Sequence, residues 1–205
     1  EKDGLRCVYH GWKFDAEGNC VDMPNLHSHQ DFKEKVKAKA YKAKERNGLV
    51  WVFMGDQQKV PPLPQLEPAL LDEGEARLFF AMRECNWLQA LEGDIDTSHF
   101  SFLHGGSLKI DQVPEDNPGK YQLLDRAPNY HVTDMEWGTM YGAFRPTEEP
   151  NQHYWRVAQF LFPFWTMPPD GDFDHHIVAR AWVPMDDTHT MFVHLSWKKN
   201  IQGVR

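Results

Sequence analysis

Four prolines lie in the short segment from Val60 to Pro68, and they restrict the possible folds of this chain more than its other local features do. Each proline removes a backbone hydrogen-bond donor and restricts the residue before it, so the segment disfavours both helix and strand. It is therefore predicted to be an extended linker. We expect a small domain over residues 1–59, a linker with the start of a second domain over 60–80, and the rest of that domain over 81–205.

The first predicted domain is rich in turn-forming residues. Between Gly4 and Asn25, glycine, aspartate, asparagine and proline separate short aromatic or β-branched stretches. This pattern is typical of a small all-β module. Further on, Asn47–Gly48 separates an alternating segment from the apolar run Leu49–Met54. An Asn-Gly pair between two such segments predicts a β-hairpin.

The second predicted domain begins with a helical pattern and continues with strands. Asn86 can cap a helix that is predicted to extend to Phe102, because no proline interrupts the segment. A loop rich in glycine, proline and aspartate is predicted over 105–119. The strands predicted after it are Tyr154–Phe162, Ile177–Val183 and Met191–Trp197, with turns at Pro168–Gly171 and Asp186–Asp187. A helix followed by an antiparallel sheet predicts the α+β class.

Charge and hydropathy exclude two classes of function. The chain has 22 Lys and Arg against 30 Asp and Glu, and its formal net charge of −8 repels nucleic-acid phosphates. No stretch approaches the roughly 20 consecutive apolar residues that a membrane-spanning helix needs. We therefore expect no nucleic-acid partner, no membrane and a cytoplasmic location. The charged start Glu1–Asp3 is not typical of a signal peptide. The chain begins without Met, within a candidate motif, and ends at Arg205 directly after a strand-like run, so we expect both ends to be truncations.

Cys7 and His10 form the first candidate site. The C-x2-H spacing on a tight turn lets a thiolate and an imidazole reach one metal centre. One alternative is a buried free cysteine beside an ordinary turn histidine. Another is a zinc-binding interaction module, which would need two further ligands, and only Cys20, His27 and His29 lie nearby. We expect Cys20 to be structural and the two histidines to be solvated.

The segment Asn86–His104 forms the second candidate site. Four polar residues would share one stripe of the predicted helix: Gln89, Glu92, Asp96 and His99. Burying such groups without partners costs about 1–3 kcal/mol each, so the stripe needs partners, a metal or a cavity. His99 and His104 would point about 140° apart on a regular helix. The helix must bulge or end between them if both are to reach one ion, and Gly105–Gly106 supplies a stop. The alternative is an amphipathic helix with coincidental histidines.

Both sites resemble motifs of one family. Cys7–Phe14 with Gly18 is similar to the second half of the Rieske cluster motif, and Asn86–His104 is similar to the mononuclear-iron motif of the aromatic-ring-hydroxylating oxygenases. The chain thus resembles the catalytic subunit of a Rieske non-haem iron oxygenase. The first C-x-H pair of the cluster motif and the carboxylate ligand of the mononuclear iron would lie outside this chain.

The resemblance implies a role for five residues. Two would bind a [2Fe–2S] cluster, two would bind mononuclear Fe(II), and one would carry electrons to that iron from the Rieske centre of a neighbouring subunit. In that order they are Cys7 and His10, His99 and His104, and Asp96.

The resemblance also implies a fold and a reaction. The fold is the C-terminal part of a small all-β Rieske domain, followed by a helix-grip (START/Bet v1-like) catalytic domain with an antiparallel sheet. The reaction is hydroxylation of an aromatic ring with O2 and with electrons that pass from NAD(P)H through a flavin and iron–sulfur reductase. The assembly would be a homotrimer or a trimer pair.

Three stretches are similar to the phthalate 4,5-dioxygenase branch of the family: Asp22–Asn25, Gln159–Pro169 and Trp182–Thr190. An aromatic, phthalate-like carboxylate is therefore the expected substrate. Planar arginine side chains are suited to bind a carboxylate, which makes Arg156 and Arg180 candidates, with surface or structural roles as the alternative.

Two alternative functions stay open. A Rieske monooxygenase or an O-demethylase of an aromatic acid uses the same metals and differs only in its product. A non-catalytic helix-grip protein that binds a ligand would share the fold. Such a protein has no use for the set of metal-binding residues in Asn86–His104, which disfavours it.

Overall fold

A computed structural model describes residues 2–72, 74–170 and 176–199. The chain divides into two compact units, Glu1–Pro64 and Gln65–Arg205. The division lies within the proline-rich segment, where the missing backbone donors prevent pairing with either side. No helix among the described residues is long and apolar enough to cross a membrane.

The first unit is built from short antiparallel strands. In its described part, three of them pair in sequence order: β1 (Leu5–Arg6), β2 (Lys13–Phe14) and β3 (Cys20–Asp22). A hairpin follows, formed by β4 (Ala43–Arg46) and β5 (Leu49–Val52). Asn47 and Gly48 connect its strands with φ angles of 51° and 81°. Two consecutive positive φ angles match the twist of a hairpin, so the predicted hairpin is confirmed.

The second unit contains an antiparallel sheet. Among the described residues the sheet has seven strands, in the order β6-β12-β11-β10-β9-β8-β7. Their bounds are β6 Ala76–Arg83, β7 Asn129–Met135, β8 Gly138–Pro146, β9 His153–Leu161, β10 Trp165–Met167, β11 Val178–Pro184 and β12 Thr190–Trp197. The sheet and its few helices confirm the predicted α+β class.

The three predicted strands of this sheet correspond to β9, β11 and β12. Ala179, Ala181 and Leu195 are fully buried, which explains the apolar pattern of β11 and β12. The predicted turn between these strands forms because an oxygen of Asp186 accepts hydrogen bonds from the backbone of Thr188 and His189. The other predicted turn, Pro168–Gly171, ends outside the described residues.

The predicted helix is shorter than expected. Helix α1 runs from Trp87 to Ile95, and the side chain of Asn86 caps it by accepting from the backbone of Leu88 and Gln89. The prediction of an uninterrupted helix to Phe102 was wrong. Asp96 ends α1, since its carboxylate accepts from the two backbone amides that start the next helical turn.

A short helix that was not predicted from the sequence follows the predicted loop. Helix α2 covers Lys120–Leu124, directly after the predicted loop over 105–119. It packs against the segment that follows α1, and it has no fully buried residue. A helix this short carries no apolar periodicity in the sequence, so its position depends on tertiary contacts.

Asp94 fixes α1 on the sheet. Its carboxylate accepts hydrogen bonds from Thr166 Oγ1 at 2.6 Å and from Trp182 Nε1 at 3.1 Å, and it forms an ion pair with Arg180. These partners come from β10 and β11. The helix that precedes both histidines is thereby held at a defined place on the sheet.

Candidate metal centre

The helical segment after α1 brings His99 and His104 together. A π-helical turn covers Phe100–His104, and its i→i+5 bond joins Gly105 N to Phe100 O at 2.7 Å. The two imidazole centroids lie 5.1 Å apart, with their planes inclined by 62°. The helix therefore bulges between the histidines, as the five-residue spacing required. Two imidazoles at this separation can bind one metal ion.

Asp96 orients one of these imidazoles. Its Oδ2 lies 3.2 Å from His99 Nδ1 and 3.3 Å from His99 N. A carboxylate accepts only, so His99 Nδ1 carries the proton and Nε2 presents its lone pair away from Asp96. A carboxylate that holds a histidine in this way fixes its tautomer and raises its basicity towards a metal.

Two glycines allow the turn to close. A Cβ at Gly106 would lie 2.0 Å from Phe102 O, and one at Gly105 would lie 2.6 Å from Leu123 Cδ2 of α2. Real Cβ atoms do not approach other atoms so closely. Gly106 is therefore needed, because the backbone of Phe102 leaves no space for a Cβ, whereas a Cβ at Gly105 would require the end of the Leu123 side chain to move.

Arg156 of β9 lies beneath the turn. The carbon of its guanidinium group is 4.6 Å from the centroid of Phe100, whose ring is 5.0 Å from each of the two imidazoles. The Arg156 side chain is 9% exposed, and its Nη2 is 3.8 Å from Asp170 Oδ1. Within the described part of the chain, its Nε and Nη2 have no hydrogen-bond partner. Arg156 thus has buried donors that can receive an anion.

The donors of Arg180 are occupied by partners within the chain. It pairs with Asp94, and its Nη2 lies 3.1 Å from Asp170 Oδ2. Its Nε also donates to His194 Nδ1 at 3.4 Å. The expectation that Arg180 could bind a substrate anion is therefore corrected, because its donors already connect α1 to the sheet.

A cleft of about 310 Å³ lies beside Asp96. Residues of α1, of its C-terminal end and of two strands line it: Glu92, Ile95, Asp96, Thr97, Tyr130 and Tyr141. Tyr141 donates a hydrogen bond to Ile95 O, at the end of α1. Burial raises the pKa of Tyr141, which keeps its hydroxyl a neutral donor. The two tyrosines carry no local motif, so the sequence could not identify them.

The candidate site of the first unit is a tight turn. Cys7 N donates to Trp12 O at 2.7 Å, and Gly11 N donates to Cys7 O at 2.9 Å. Gly11 has a φ of 81°, and a Cβ there would lie 2.8 Å from Pro24 Cγ, so the turn requires glycine. Cys7 and His10 are both exposed on this turn, so both can bind a shared centre.

Other residues considered as ligands in the first unit lie elsewhere. Cys20 is 5% exposed and points its Sγ towards Asp22 O at 3.6 Å, which is a structural role. His27 and His29 are exposed and stack on each other. In the part of the chain that the structure describes, no group of three or more His, Cys, Asp or Glu could hold a metal ion. Each candidate site therefore supplies two ligands from the described residues.

Two family descriptions match this chain. Residues 1–42 match the Rieske [2Fe-2S] domain, and residues 52–205 match the family described as LigXa C-terminal domain like. The match to the second covers most of the chain and includes His99 and His104.

Three curated relatives are similar over nearly the whole chain. The 3-chlorobenzoate-3,4-dioxygenase oxygenase subunit of Comamonas testosteroni is 52% identical over 96% of this chain and 45% of that protein. The phthalate 4,5-dioxygenase oxygenase subunit of Pseudomonas putida is 36% identical over 96% of the chain and 46% of that protein. The 5,5'-dehydrodivanillate O-demethylase oxygenase subunit of Sphingobium sp. is 40% identical over 94% and 43%. The chain thus spans less than half the length of these relatives.

A solved structure shares the fold. Dicamba monooxygenase bound to dicamba superimposes with a TM-score of 0.60 and 16% sequence identity, and the match covers 94% of this chain and 59% of that one. At this identity the likeness concerns the arrangement of helices and strands only.

Proposed function

The chain belongs to the oxygenase subunits of the Rieske non-haem iron oxygenases, and from this premise we propose that it takes part in O2-dependent oxidation of an aromatic carboxylate. Residues 1–59 then form part of a Rieske domain, and residues 81–205 form part of the catalytic domain. The observation that carries the proposal is the convergence of His99 and His104 on one π-helical turn, with Asp96 on the first imidazole.

Each of the five candidate residues has a role in this proposal. Cys7 and His10 hold the [2Fe–2S] cluster, and His99 and His104 hold the mononuclear iron. Two imidazoles on one turn fit a facial arrangement of ligands that leaves positions open for O2 and substrate. When bound, the cluster supplies electrons and the iron activates O2. In this proposal each centre takes two of its ligands from the described residues.

Asp96 connects the metal site to its surroundings. Its carboxylate holds His99 Nδ1, and its side chain is 44% exposed. One end of Asp96 thus contacts a proposed iron ligand, while the other can receive a hydrogen bond from outside this chain. We propose that a Rieske histidine of a neighbouring subunit donates that bond, and that electrons pass through it. This role requires a homotrimer or a trimer pair, with NAD(P)H as the electron source through a flavin and iron–sulfur reductase.

The substrate proposal rests on Arg156. Its buried donors lie under Phe100, whose ring contacts both imidazoles, and a carboxylate would satisfy them. Chlorobenzoate, which the name of one relative contains, carries one carboxylate, whereas phthalate carries two. Because Arg180 is engaged by Asp94, a ring with a single carboxylate fits the candidate site better than a dicarboxylate.

A metal analysis tests the proposed function. The complete oxygenase subunit is purified as wild type, as His99→Ala and as His29→Ala, the last being an exposed histidine that serves as control. We measure iron, acid-labile sulfide, the electron paramagnetic resonance (EPR) spectrum after reduction, and O2 uptake with 3-chlorobenzoate and with phthalate. A Rieske signal in all three proteins, with mononuclear iron and O2 uptake lost only in His99→Ala, is the expected result. Zinc or no metal in the wild type would favour a ligand-binding protein instead.

One relative favours a second candidate reaction. Its name specifies an O-demethylase, and it is 40% identical over 94% of the chain. Oxidation in 18O2 separates the two reactions. A dioxygenase places both oxygen atoms on the ring, whereas an O-demethylase releases formaldehyde and a phenol.

A further inference from the structure

Arg145 of β8 is fully buried and bonds to the metal-binding turn. Its Nη2 donates to Ser101 Oγ at 3.1 Å, and its Nε donates to Asp125 O at 2.6 Å. Ser101 is fully buried as well. Ser101 lies within the π-helical turn, between His99 and His104. A side chain of the sheet thus reaches the turn at a point between the two proposed iron ligands.

The same guanidinium group also holds α2. Asp125 directly follows α2, and its carbonyl is the acceptor of the Nε donor. Leu123 of α2 fills the space beside Gly105, at the end of the π-helical turn. Arg145 therefore connects β8 and the end of α2 to the turn. Both segments limit the shape of the turn.

Burial of Arg145 costs more free energy than burial of an apolar side chain at the same place. Burial lowers the pKa of Arg145, because the charged form loses its hydration. Among the described residues its Nη1 has no hydrogen-bond partner. An apolar side chain of similar volume would avoid both costs. The guanidinium group contributes hydrogen bonds of defined geometry, because its planar array of donors fixes the orientation of both acceptors.

We propose that Arg145 is a positioning residue for the iron site, acting through Ser101. The hydroxyl bond holds the turn in its π-helical form, in which both imidazoles face one point. If the bond is lost, the turn can relax towards a regular helix, where residues five apart diverge by about 140°. This inference rests on the proposed function, since it assumes that His99 and His104 bind iron.

Ser101→Ala tests the inference with little disturbance of the fold. It removes only the acceptor, and Arg145 keeps its bond to Asp125. The complete oxygenase subunit is stripped of mononuclear iron, and the dissociation constant of Fe(II) is measured, together with the EPR spectrum of its nitric oxide complex. We expect Fe(II) binding weaker by about tenfold, as for other residues that orient metal ligands. The nitric oxide spectrum should change, while the Rieske signal stays at its wild-type value. The unfolding temperature should fall somewhat, because the buried Nη2 donor of Arg145 loses its acceptor.

Two further variants complete the experiment. Ser107→Ala removes an exposed hydroxyl from the loop after the turn and should bind Fe(II) like the wild type. Arg145→Met should show a loss at least as large as Ser101→Ala, and if it does not fold, Ser101→Ala decides. Wild-type affinity with an unchanged nitric oxide spectrum in Ser101→Ala overturns the inference. Weaker binding with an unchanged nitric oxide spectrum also overturns it, because the geometry of the bound iron then does not depend on the hydroxyl group. In both cases the wild type still binds iron, so the proposed function stands.

Discussion

Arg156 and His194 are two residues of the sheet whose roles depend on the groups around them. Both lie on strands of the second unit, and both are at least partly buried. Arg156 has two buried donors without a hydrogen-bond partner among the described residues, whereas His194 accepts a hydrogen bond from Arg180 Nε. The first arrangement favours ligand binding, and the second favours stability of the fold.

Substitution of Arg156 should separate substrate binding from metal binding. We expect Arg156→Met to raise KM for 3-chlorobenzoate at least tenfold, because loss of a charge-assisted hydrogen bond costs about 1.5–3 kcal/mol. Mononuclear iron content should be unchanged. Steady-state O2 uptake measures the effect, with Arg77→Met as control, since Arg77 is exposed on the edge strand β6. An unchanged KM would show that Arg156 has a structural role.

His194 should make stability depend on pH. Burial, followed by the neighbouring Arg180, lowers the pKa of His194 below its usual value of 6.5. The folded state therefore binds fewer protons than the unfolded state, so stability is fully present above pH 6.5 and is lost as the pH falls below it. We expect the unfolding temperature of metal-free protein to fall between about pH 7.5 and about pH 5.5.

Two variants identify the residue responsible for this pH dependence. His194→Gln should make the profile less steep, because glutamine does not titrate but can still accept from Arg180. His176, whose pKa is also lowered by burial, should keep part of the pH dependence. His131→Gln should leave it unchanged, since His131 is exposed on β7. Equal profiles for wild type and His194→Gln would assign the pH dependence to another group.

At the scale of the element, the π-helical turn is the feature on which the candidate site depends. Ordinary α-helical geometry would separate the two histidines, and the turn is followed by Gly106, where the backbone of Phe102 leaves no space for a side chain. Asp96 contributes twice, because it ends α1 and its carboxylate starts the next helical turn. The site is thus formed where a regular helix is interrupted.

Gly106→Ala should distort the turn. Its Cβ would meet Phe102 O at 2.0 Å, which forces the backbone to move. We expect mononuclear iron to be lost by dialysis, while the Rieske signal is kept. Gly93→Ala is the matched control, because its Cβ meets nothing within 4 Å in α1 and should stabilise that helix by about 0.5–1 kcal/mol. Iron content after dialysis measures the difference, and equal retention in both variants would contradict the role of the glycine pair.

At the scale of the whole molecule, the proposed path for electrons crosses between subunits. If the proposed ligands are right, a subunit with Cys7→Ala will lack the cluster, and one with His99→Ala will lack the iron. Each should be inactive alone. When the two are co-expressed, mixed oligomers should regain part of the O2 uptake, because the intact cluster of one subunit serves the intact iron site of its neighbour. Mixed oligomers that remain inactive would show that electrons stay within one subunit.

Much of the candidate site could be predicted because its ligands are close in sequence. Cys7 and His10 lie on one turn, and Asp96, His99 and His104 lie on one segment, so each set could be compared with a family motif as a whole. Spacing and residue type alone left alternatives open, and the resemblance to the two motifs selected these residues. The hairpin at Asn47–Gly48 was predictable for the same reason, since the turn type depends on two residues. The strands β9, β11 and β12 were visible because apolar periodicity reflects which face of each is buried.

Only the tertiary structure decided which distant residues meet this segment. Arg145, Arg156 and Tyr141 come from strands about 40 to 60 positions further along the chain, and pairing of β8 with β9 places the two arginines under the turn. The break at Asp96 also depended on such contacts, because Tyr141 stabilises the carbonyl at the end of α1. Local spacing determines which side chains can bind one metal ion, whereas the register of the sheet determines which buried charges surround that site.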